Sequence, residues 1–200
     1  MNKKFRYLAL SAMLCSALTF AGCKEKTEEP TDQASKAPPA EATEAPASEA
    51  PPVSQKGSVS ANGFSIVPPA AWTKGEPNKQ AFMIYLDKAK NNFRANFNVN
   101  SSPDDGTPVN KIGPLIKPMF AKQFDKWKFM GEGEEKVAGE DSYWISSRFT
   151  MQGYDIQNLQ YYIRGKNKRF YVLTFTALAN SYKDYEPTFK QAVETVQTLE

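Results

Sequence analysis

The chain has 200 residues, of which 40% are hydrophobic and 24% charged, so it is long enough for one ordinary domain with additional segments. It contains no histidine, which excludes imidazole triads, His-ligated zinc and Cys–His nucleophiles. The formal net charge is +3, but three of the 25 basic residues, Lys3, Lys4 and Arg6, lie at the N-terminus. The other 22 basic residues equal the 22 acidic residues in number, so the rest of the chain is near neutral. We therefore expect no nucleic-acid partner.

The N-terminus has the order of a secretory signal peptide. Lys3, Lys4 and Arg6 precede an apolar run over Tyr7–Phe20, and small residues follow it directly before Cys23. The alternative is a transmembrane helix, but the run of about 14 residues is short of the roughly 20 that a span needs. We therefore predict a cleaved signal peptide over residues 1–22.

The segment around Cys23 resembles the lipobox of bacterial lipoproteins. That resemblance implies that Cys23 is diacylated and becomes the mature N-terminus, with the membrane as a partner through its lipid. Lys24, in place of aspartate, implies sorting to the outer membrane facing the periplasm; a host with a single membrane would make this distinction moot. Since Cys15 and Cys23 are the only cysteines, no disulfide forms within the mature domain.

The next segment is a predicted tether. Residues 23–57 are rich in alanine, proline and glutamate and have almost no large apolar residue to join a core. Such a composition cannot offset the entropy of ordering, so we expect disorder. The folded domain is predicted over residues 58–200.

The first strands of the domain are read from apolar patterns. Phe64–Val67 is a short strand ended by prolines. Ala81–Asp87 has large apolar residues at both odd and even positions, which predicts a central strand covered on both faces. Phe93–Asn100 alternates apolar and polar residues, which predicts one buried and one polar face.

The polar face of Phe93–Asn100 is the candidate ligand site. Amide and guanidinium groups supply directional hydrogen bonds to a polar ligand such as a glycan or a peptide. The candidate residues include two from other predicted strands: Arg94, Asn96, Asn98, Asn100, Arg148 and Asn158. The alternative, which we favour at this point, is a solvated sheet face.

A helix follows the turn-rich stretch SSPDDGTP. Apolar residues at spacings of three and four over Ile112–Phe124 predict an amphipathic helix, which Pro118 should kink or shift to a start near Lys117. Asp104 and Asp105 before Gly106 offer carboxylates for calcium, but the spacing of a calcium loop is lacking, so a turn is favoured and no metal site is predicted.

The second half predicts an antiparallel meander and a terminal helix. The strand segments are 127–130 with 134–138, 142–151, 156–164 and 169–177. Asp184 is a plausible N-cap for a helix whose apolar stripe runs to Leu199. Because several strands are apolar on both sides, we expect an α+β domain with helices on both faces of one antiparallel sheet.

These segments resemble a known fold family. Gly63–Pro68 with Trp72, the Val137–Gly139 turn, and the closing run YVLTFTALANSYKDYEPTFKQAVETV are similar to the PsbP-like α/β/α sandwich, which includes bacterial envelope lipoproteins of the DcrB type. The resemblance covers most of residues 58–200. It implies a non-enzymatic accessory or binding module without a cofactor, and it brings no catalytic residues.

The leading functional hypothesis is therefore an envelope lipoprotein that binds an envelope protein or a small polar ligand. A hydrolase that uses carboxylates, serine or lysine is the first alternative, motivated by Glu132, Glu134 and Glu135, although charged residues that deter pairing at a sheet edge explain them better. The second alternative is a self-associating structural envelope protein.

The basic turn at 164–169 is read as solvated rather than lipid-binding. Six aromatic residues are candidates for a recognition patch, most of them expected in the core: Trp127, Phe129, Tyr143, Trp144, Tyr161 and Tyr162.

Overall fold

A seven-stranded antiparallel sheet organises the domain. The computed structural model describes residues 57–166 and 168–199, so the predicted signal peptide, Cys23 and the tether to residue 56 lie outside the described residues. The strands in chain order are β1 (Val59–Ala61), β2 (Phe64–Ile66), β3 (Thr73–Lys74), β4 (Met83–Leu86), β5 (Asn96–Pro103), β6 (Asp125–Val137), β7 (Glu140–Met151), β8 (Tyr154–Arg164), β9 (Arg169–Leu178) and β10 (Gln197–Thr198). The helices are α1 (Ile112–Gln123), which follows a single 3-10 turn at Val109–Lys111, and α2 (Tyr182–Glu194).

The strand order confirms the predicted meander. The large sheet runs β3-β4-β5-β9-β8-β7-β6, with β1, β2 and β10 in a separate small sheet. Two-residue turns join β6 to β7 and β7 to β8, and their positive φ angles are 56° and 82° at Ala138 and Gly139 and 53° and 82° at Gln152 and Gly153. Positive φ at both central positions suits the right-handed twist of the hairpin strands. The α+β class and the antiparallel sheet are thus as predicted.

Each helix packs on its own hydrophobic cluster. The buried residues of α1 pack with Ile145, Tyr162 and Val172. The buried residues of α2 pack with Tyr161 and Leu173, together with further residues of β4, β5 and β9. The two clusters take alternate residues of the same strands, as a strand pattern of period two allows.

Several element boundaries differ from the predictions. β5 runs through Pro103 because Ser101 and Ser102 stay paired with β9, so SSPDDGTP is not all turn. The segments 127–130 and 134–138 form one strand, β6, with register irregularities before Lys128 and before Gly131. α1 starts at Ile112 and keeps Pro118 inside, because its buried apolar face against the sheet outweighs one missing hydrogen bond.

The C-terminus also differs from its prediction. α2 starts at Tyr182 after Ser181, so Asp184 lies in the first turn rather than at the N-cap. The helix ends at Glu194, and the chain then extends to pair β10 with β2. β4 is buried along its length as predicted, but it is not central, because only the two-residue β3 lies beyond it. None of the helices in the described part of the chain has the length and apolar character to span a membrane.

Candidate functional site

A groove lies between α2 and the strands β6, β7 and β8. Its volume is about 1120 Å³, and its floor is formed by Trp144, Leu159, Tyr161 and Tyr182. Concave surfaces that combine aromatic side chains with polar groups are candidate binding sites. We refer to it below as the groove.

Trp144 lies against two glycines of β6. The register pairs Trp144 with Gly133 and Ser146 with Gly131. A Cβ atom on Gly133 would lie only 2.8 Å from Trp144 Nε1, whereas a Cβ atom on Gly131 would lie 3.6 Å from the nearest atoms of the ring. The missing side chain at Gly133 therefore lets the indole lie close to the edge strand, where it forms part of the groove floor.

The two tyrosines of the floor are held as neutral hydrogen-bonding groups. Burial, reinforced by the negative charge of Glu135 and a hydrogen bond with it, raises the pKa of Tyr161 well above its usual value. Burial raises the pKa of Tyr182 to about 12, although a hydrogen bond with Ser146 opposes the shift. Their hydroxyls can orient a ligand but are not poised to exchange protons near neutral pH.

The rims of the groove carry both signs of charge. Lys190 forms an ion pair of 2.9 Å with Glu186 on α2, and Arg148 pairs with Asp155 on the sheet side. Charged groups of each sign are equally numerous around the groove: Lys136, Arg148, Lys183 and Lys190 against Glu135, Asp184, Glu186 and Glu194. Such a rim does not favour a purely anionic ligand.

The structure brings four of the predicted site residues together on one sheet face. Asn96, Asn98 and Asn100 of β5 share a face with Asn158 of β8, through Thr176 of β9. They belong to a row of polar side chains that crosses four strands, and we call it the polar stripe: Asn96, Asn98, Asn100, Ser147, Asn158, Gln160, Thr174 and Thr176.

The polar stripe is not the solvated face that the sequence favoured. Every member except Asn96 is buried. Asn100 donates to Asn98 Oδ1 at 3.2 Å, but Asn100 Oδ1, Ser147 Oγ and Asn158 Oδ1 have no hydrogen-bond partner among the described residues. Buried polar atoms without partners are uncommon, and an ordered water molecule or a polar ligand beside them would satisfy them.

The two predicted arginines lie elsewhere. Arg94 donates from Nε to the Asp87 carbonyl oxygen at 2.6 Å and from Nη2 to Thr73 Oγ1, so it ties the edge of the sheet to the end of β4. Arg148 pairs with Gln157 across β7 and β8, which places it on the groove face and not beside Asn158. Neither arginine side chain joins the asparagines, although Asn96 donates from Nδ2 to the Arg94 carbonyl oxygen at 3.0 Å.

The acidic residues of β6 do not converge as an acid–base pair. Glu132 accepts hydrogen bonds from Lys117 Nζ, at 2.6 Å, and from the Tyr143 hydroxyl. The bond from Lys117, then that from Tyr143, holds the pKa of Glu132 below its usual value, so Glu132 is a poor proton donor. The register places Glu132 and Glu134 on the face opposite to Glu135.

The remaining candidates have structural partners. Asp104 pairs with Arg164 at 2.8 Å, and its Oδ1 accepts from the Gly106 amide, as in a turn. Arg169 donates to Ser101 Oγ of β5 at 2.7 Å, so the two arginines tie the basic hairpin to β5 and to the loop that follows it. No group of three acidic or cysteine side chains that would hold a metal occurs within residues 57–166 and 168–199.

The sequence did not reveal the groove, because its two sides, α2 and β6, lie far apart in the chain and face each other only in the folded domain. Most of the six aromatic candidates were expected in the core, but only three are buried (Tyr143, Tyr161 and Tyr162); Trp127 and Trp144 are partly buried, and Phe129 is exposed. Trp144 is one of these candidates, but the sequence did not indicate that it forms part of the groove floor. The signal that could have indicated it is the pair of glycines at 131 and 133 opposite a tryptophan in the next strand.

Comparisons with known proteins identify the fold. No model of a known protein family matches the sequence, and no curated protein matches it. Among solved structures, the cyanobacterial PsbP protein CyanoP of Synechocystis sp. PCC 6803 has a TM-score of 0.55 and 10% identity over 70% of this chain and 91% of its own. LpqN of Mycobacterium tuberculosis, involved in cell envelope biogenesis, has a TM-score of 0.55 and 12% identity over 68% of this chain and 83% of its own.

A third similar structure is PA94 of Pseudomonas aeruginosa, a protein of unknown function, with a TM-score of 0.51 and 18% identity over 69% of this chain and 93% of its own. At such identities the likeness concerns the fold alone. The described domain is thus an α+β protein with a groove beside its sheet. Its fold is the PsbP-like fold, as the sequence resemblance predicted.

Proposed function

We propose that this protein is a non-enzymatic binding module of the bacterial cell envelope, which holds a segment of a partner protein in the groove. One observation carries the proposal. The groove combines Trp144, Tyr161 and Tyr182 on its floor with Met130 and Arg148 at its rim. Aromatic residues, methionine and arginine are the residue types enriched in protein interfaces.

The charges of the groove support a polypeptide occupant. A peptide carries both signs of charge and a backbone of donors and acceptors, which suits a rim with four groups of each sign. Gln157 and Ser146 add neutral hydrogen-bonding groups to the wall. A small ligand of one charge sign would meet as many rim charges of its own sign as of the opposite sign.

The chemistry of the groove supports binding rather than hydrolysis. Ser146 Oγ donates to the Asn158 carbonyl oxygen at 3.0 Å, so its hydroxyl is not activated by a base. Asp155 is held ionised because the hydrogen bond from Arg148 lowers its pKa. A carboxylate with a lowered pKa cannot serve as a general acid near neutral pH.

The architecture and location belong to the same proposal. We infer that α1 and α2 cover opposite faces of the large sheet, supported by the alternate residues that each cluster takes from the same strands. We also propose lipid attachment at Cys23 and an outer-membrane position facing the periplasm, on the signal-peptide pattern of residues 1–22. The tether over residues 23–57 would then hold the domain away from the membrane surface.

The experiment is in-cell photo-crosslinking from Lys190, on the α2 rim, followed by mass spectrometry of the adducts. Lys88, exposed and outside the groove, is the matched control position. We expect one envelope protein to be captured from Lys190 and not from Lys88, with less capture when Cys23→Ala removes the anchor. Equal capture from both positions, or none from Lys190, would contradict the proposal.

The polar stripe is a second candidate site, for a small polar ligand. The three buried polar atoms without partners favour it, because a bound ligand would satisfy them. If it binds such a ligand, Asn158→Leu should abolish binding of that ligand and leave crosslinking from Lys190 unchanged. The two sites lie on opposite faces of β8, so their variants separate them.

A further inference from the structure

The outer edge of β6 is open. β6 is the last strand in the order of the large sheet and pairs only with β7 among the strands of the described chain. Its second half, Gly131–Val137, keeps a regular register with β7 over seven consecutive residues. An edge of this kind presents unpaired backbone groups that another strand can use.

Exposed apolar side chains are concentrated at the middle of β6. The large hydrophobic residues exposed in the described chain are Phe129 at 45%, Met130 at 49% and Leu199 at 41%. Phe129 and Met130 are adjacent, close to the midpoint of a strand that runs from Asp125 to Val137. We call this pair the edge patch. Exposed apolar groups beside an open strand edge favour an interaction surface.

The charges of β6 are arranged in two halves around the edge patch. Before it, two lysines outnumber one aspartate (Lys126 and Lys128 against Asp125), and after it, three glutamates outnumber one lysine (Glu132, Glu134 and Glu135 against Lys136). When two copies of such a strand lie antiparallel, the basic half of each copy faces the acidic half of the other. A parallel arrangement would place like charges opposite each other, which is destabilising.

We propose that a second copy of this chain pairs antiparallel with β6 across a two-fold axis near the edge patch. In this dimer the two large sheets join edge to edge, and the two edge patches meet near the axis. An isologous contact of this kind closes on itself and does not build fibres. The two irregularities bend β6, so a strand that pairs with it must be bent to match, as the same strand of a second copy is.

The dimer has a consequence for the groove. Because a two-fold axis perpendicular to a sheet keeps each face on its own side, both grooves open on the same face of the joined sheet. Met130 lies at the groove rim and at the proposed axis. The dimer does not depend on the groove having a partner, because its contacts lie along the strand edge.

The test uses the full chain in cells with one added cysteine. Met130→Cys lies near the proposed axis. Leu199→Cys is the matched control, because Leu199 is also exposed but follows β10 of the small sheet, away from β6. A disulfide needs Cα atoms within about 7 Å, so only a specific contact should form it efficiently. The unmodified chain, whose cysteines are Cys15 and Cys23, gives the background.

We expect mild oxidation to give at least fivefold more covalent dimer from Met130→Cys than from Leu199→Cys. Adding Lys126→Glu and Lys128→Glu should remove that excess, because both halves of β6 then carry negative charge. Further addition of Glu134→Lys and Glu135→Lys reverses the pattern and should restore the dimer. Equal dimer yields at the two cysteine positions, or yields that charge reversal leaves unchanged, would overturn the proposal.

Discussion

Substitution of Gly133 by alanine tests whether Trp144 lies against the edge strand. The new Cβ atom would lie 2.8 Å from Trp144 Nε1, whereas ordinary contacts begin at 3.4 Å, so the ring must move by at least the difference. Gly131→Ala is the control, because its Cβ atom would make an ordinary contact at 3.6 Å. Neither glycine has a positive φ angle, so alanine is compatible with the backbone at both positions.

The expected difference follows from overpacking. Both variants gain the same roughly 0.4–1 kcal/mol from the reduced entropy of the unfolded chain, so this gain cancels in the comparison. Overpacking at Gly133 costs about 1–3 kcal/mol, and each kcal/mol is worth about 4 °C in a domain of this size. Thermal unfolding followed by circular dichroism should therefore place Gly133→Ala at least about 4 °C below Gly131→Ala. Equal melting temperatures would refute the close contact between Trp144 and Gly133.

Three other substitutions test the stability of the domain by chemical denaturation. Ser147→Ala should stabilise it by about 1 kcal/mol, because it removes a buried hydroxyl without a partner; destabilisation would mean that the hydroxyl is hydrogen-bonded. Glu132→Gln should cost about 1 kcal/mol at pH 7 through its ion pair with Lys117. Since the folded-state pKa of Glu132 is lowered, this contribution is present above about pH 4.5 and is lost as the pH falls through the folded-state value; a difference that persists in acid would refute it. Pro118→Ala should stabilise α1 by about 1–2 kcal/mol by restoring a backbone donor, whereas Pro114→Ala in the first turn should not; equal gains would contradict this.

Much of the fold could be predicted from the sequence because local patterns dictate it. The meander from β6 to β9 follows from apolar alternation and from turn residues such as Gly139 and Gly153, whose positive φ angles glycine adopts at little cost. α1 and α2 follow from apolar spacing. Their boundaries were displaced where tertiary packing outweighs local preference, as at Pro118 and at the pairing of β10 with β2.

The candidate sites depended on long-range contacts and were only partly predictable. Strict alternation placed Asn96, Asn98 and Asn100 on one face, and the register brought Asn158 to them. Their burial was not predictable, because the segment alone does not reveal what packs against it. Arg148 was misplaced because its face depends on the register of β7 with β8, which the sequence leaves open.

The most direct test of the groove as the binding site is the yield of the Lys190 photo-crosslink in two tryptophan variants. Trp144 lies on the groove floor, whereas Trp127 packs against the hydrophobic cluster under α1. Trp144→Leu and Trp127→Leu are therefore a matched pair. We expect Trp144→Leu to reduce the yield of the specific adduct at least tenfold and Trp127→Leu to leave it within twofold of the unmodified chain. An equal effect of the two substitutions, or full retention of the adduct in Trp144→Leu, would contradict the proposal that the partner binds in the groove.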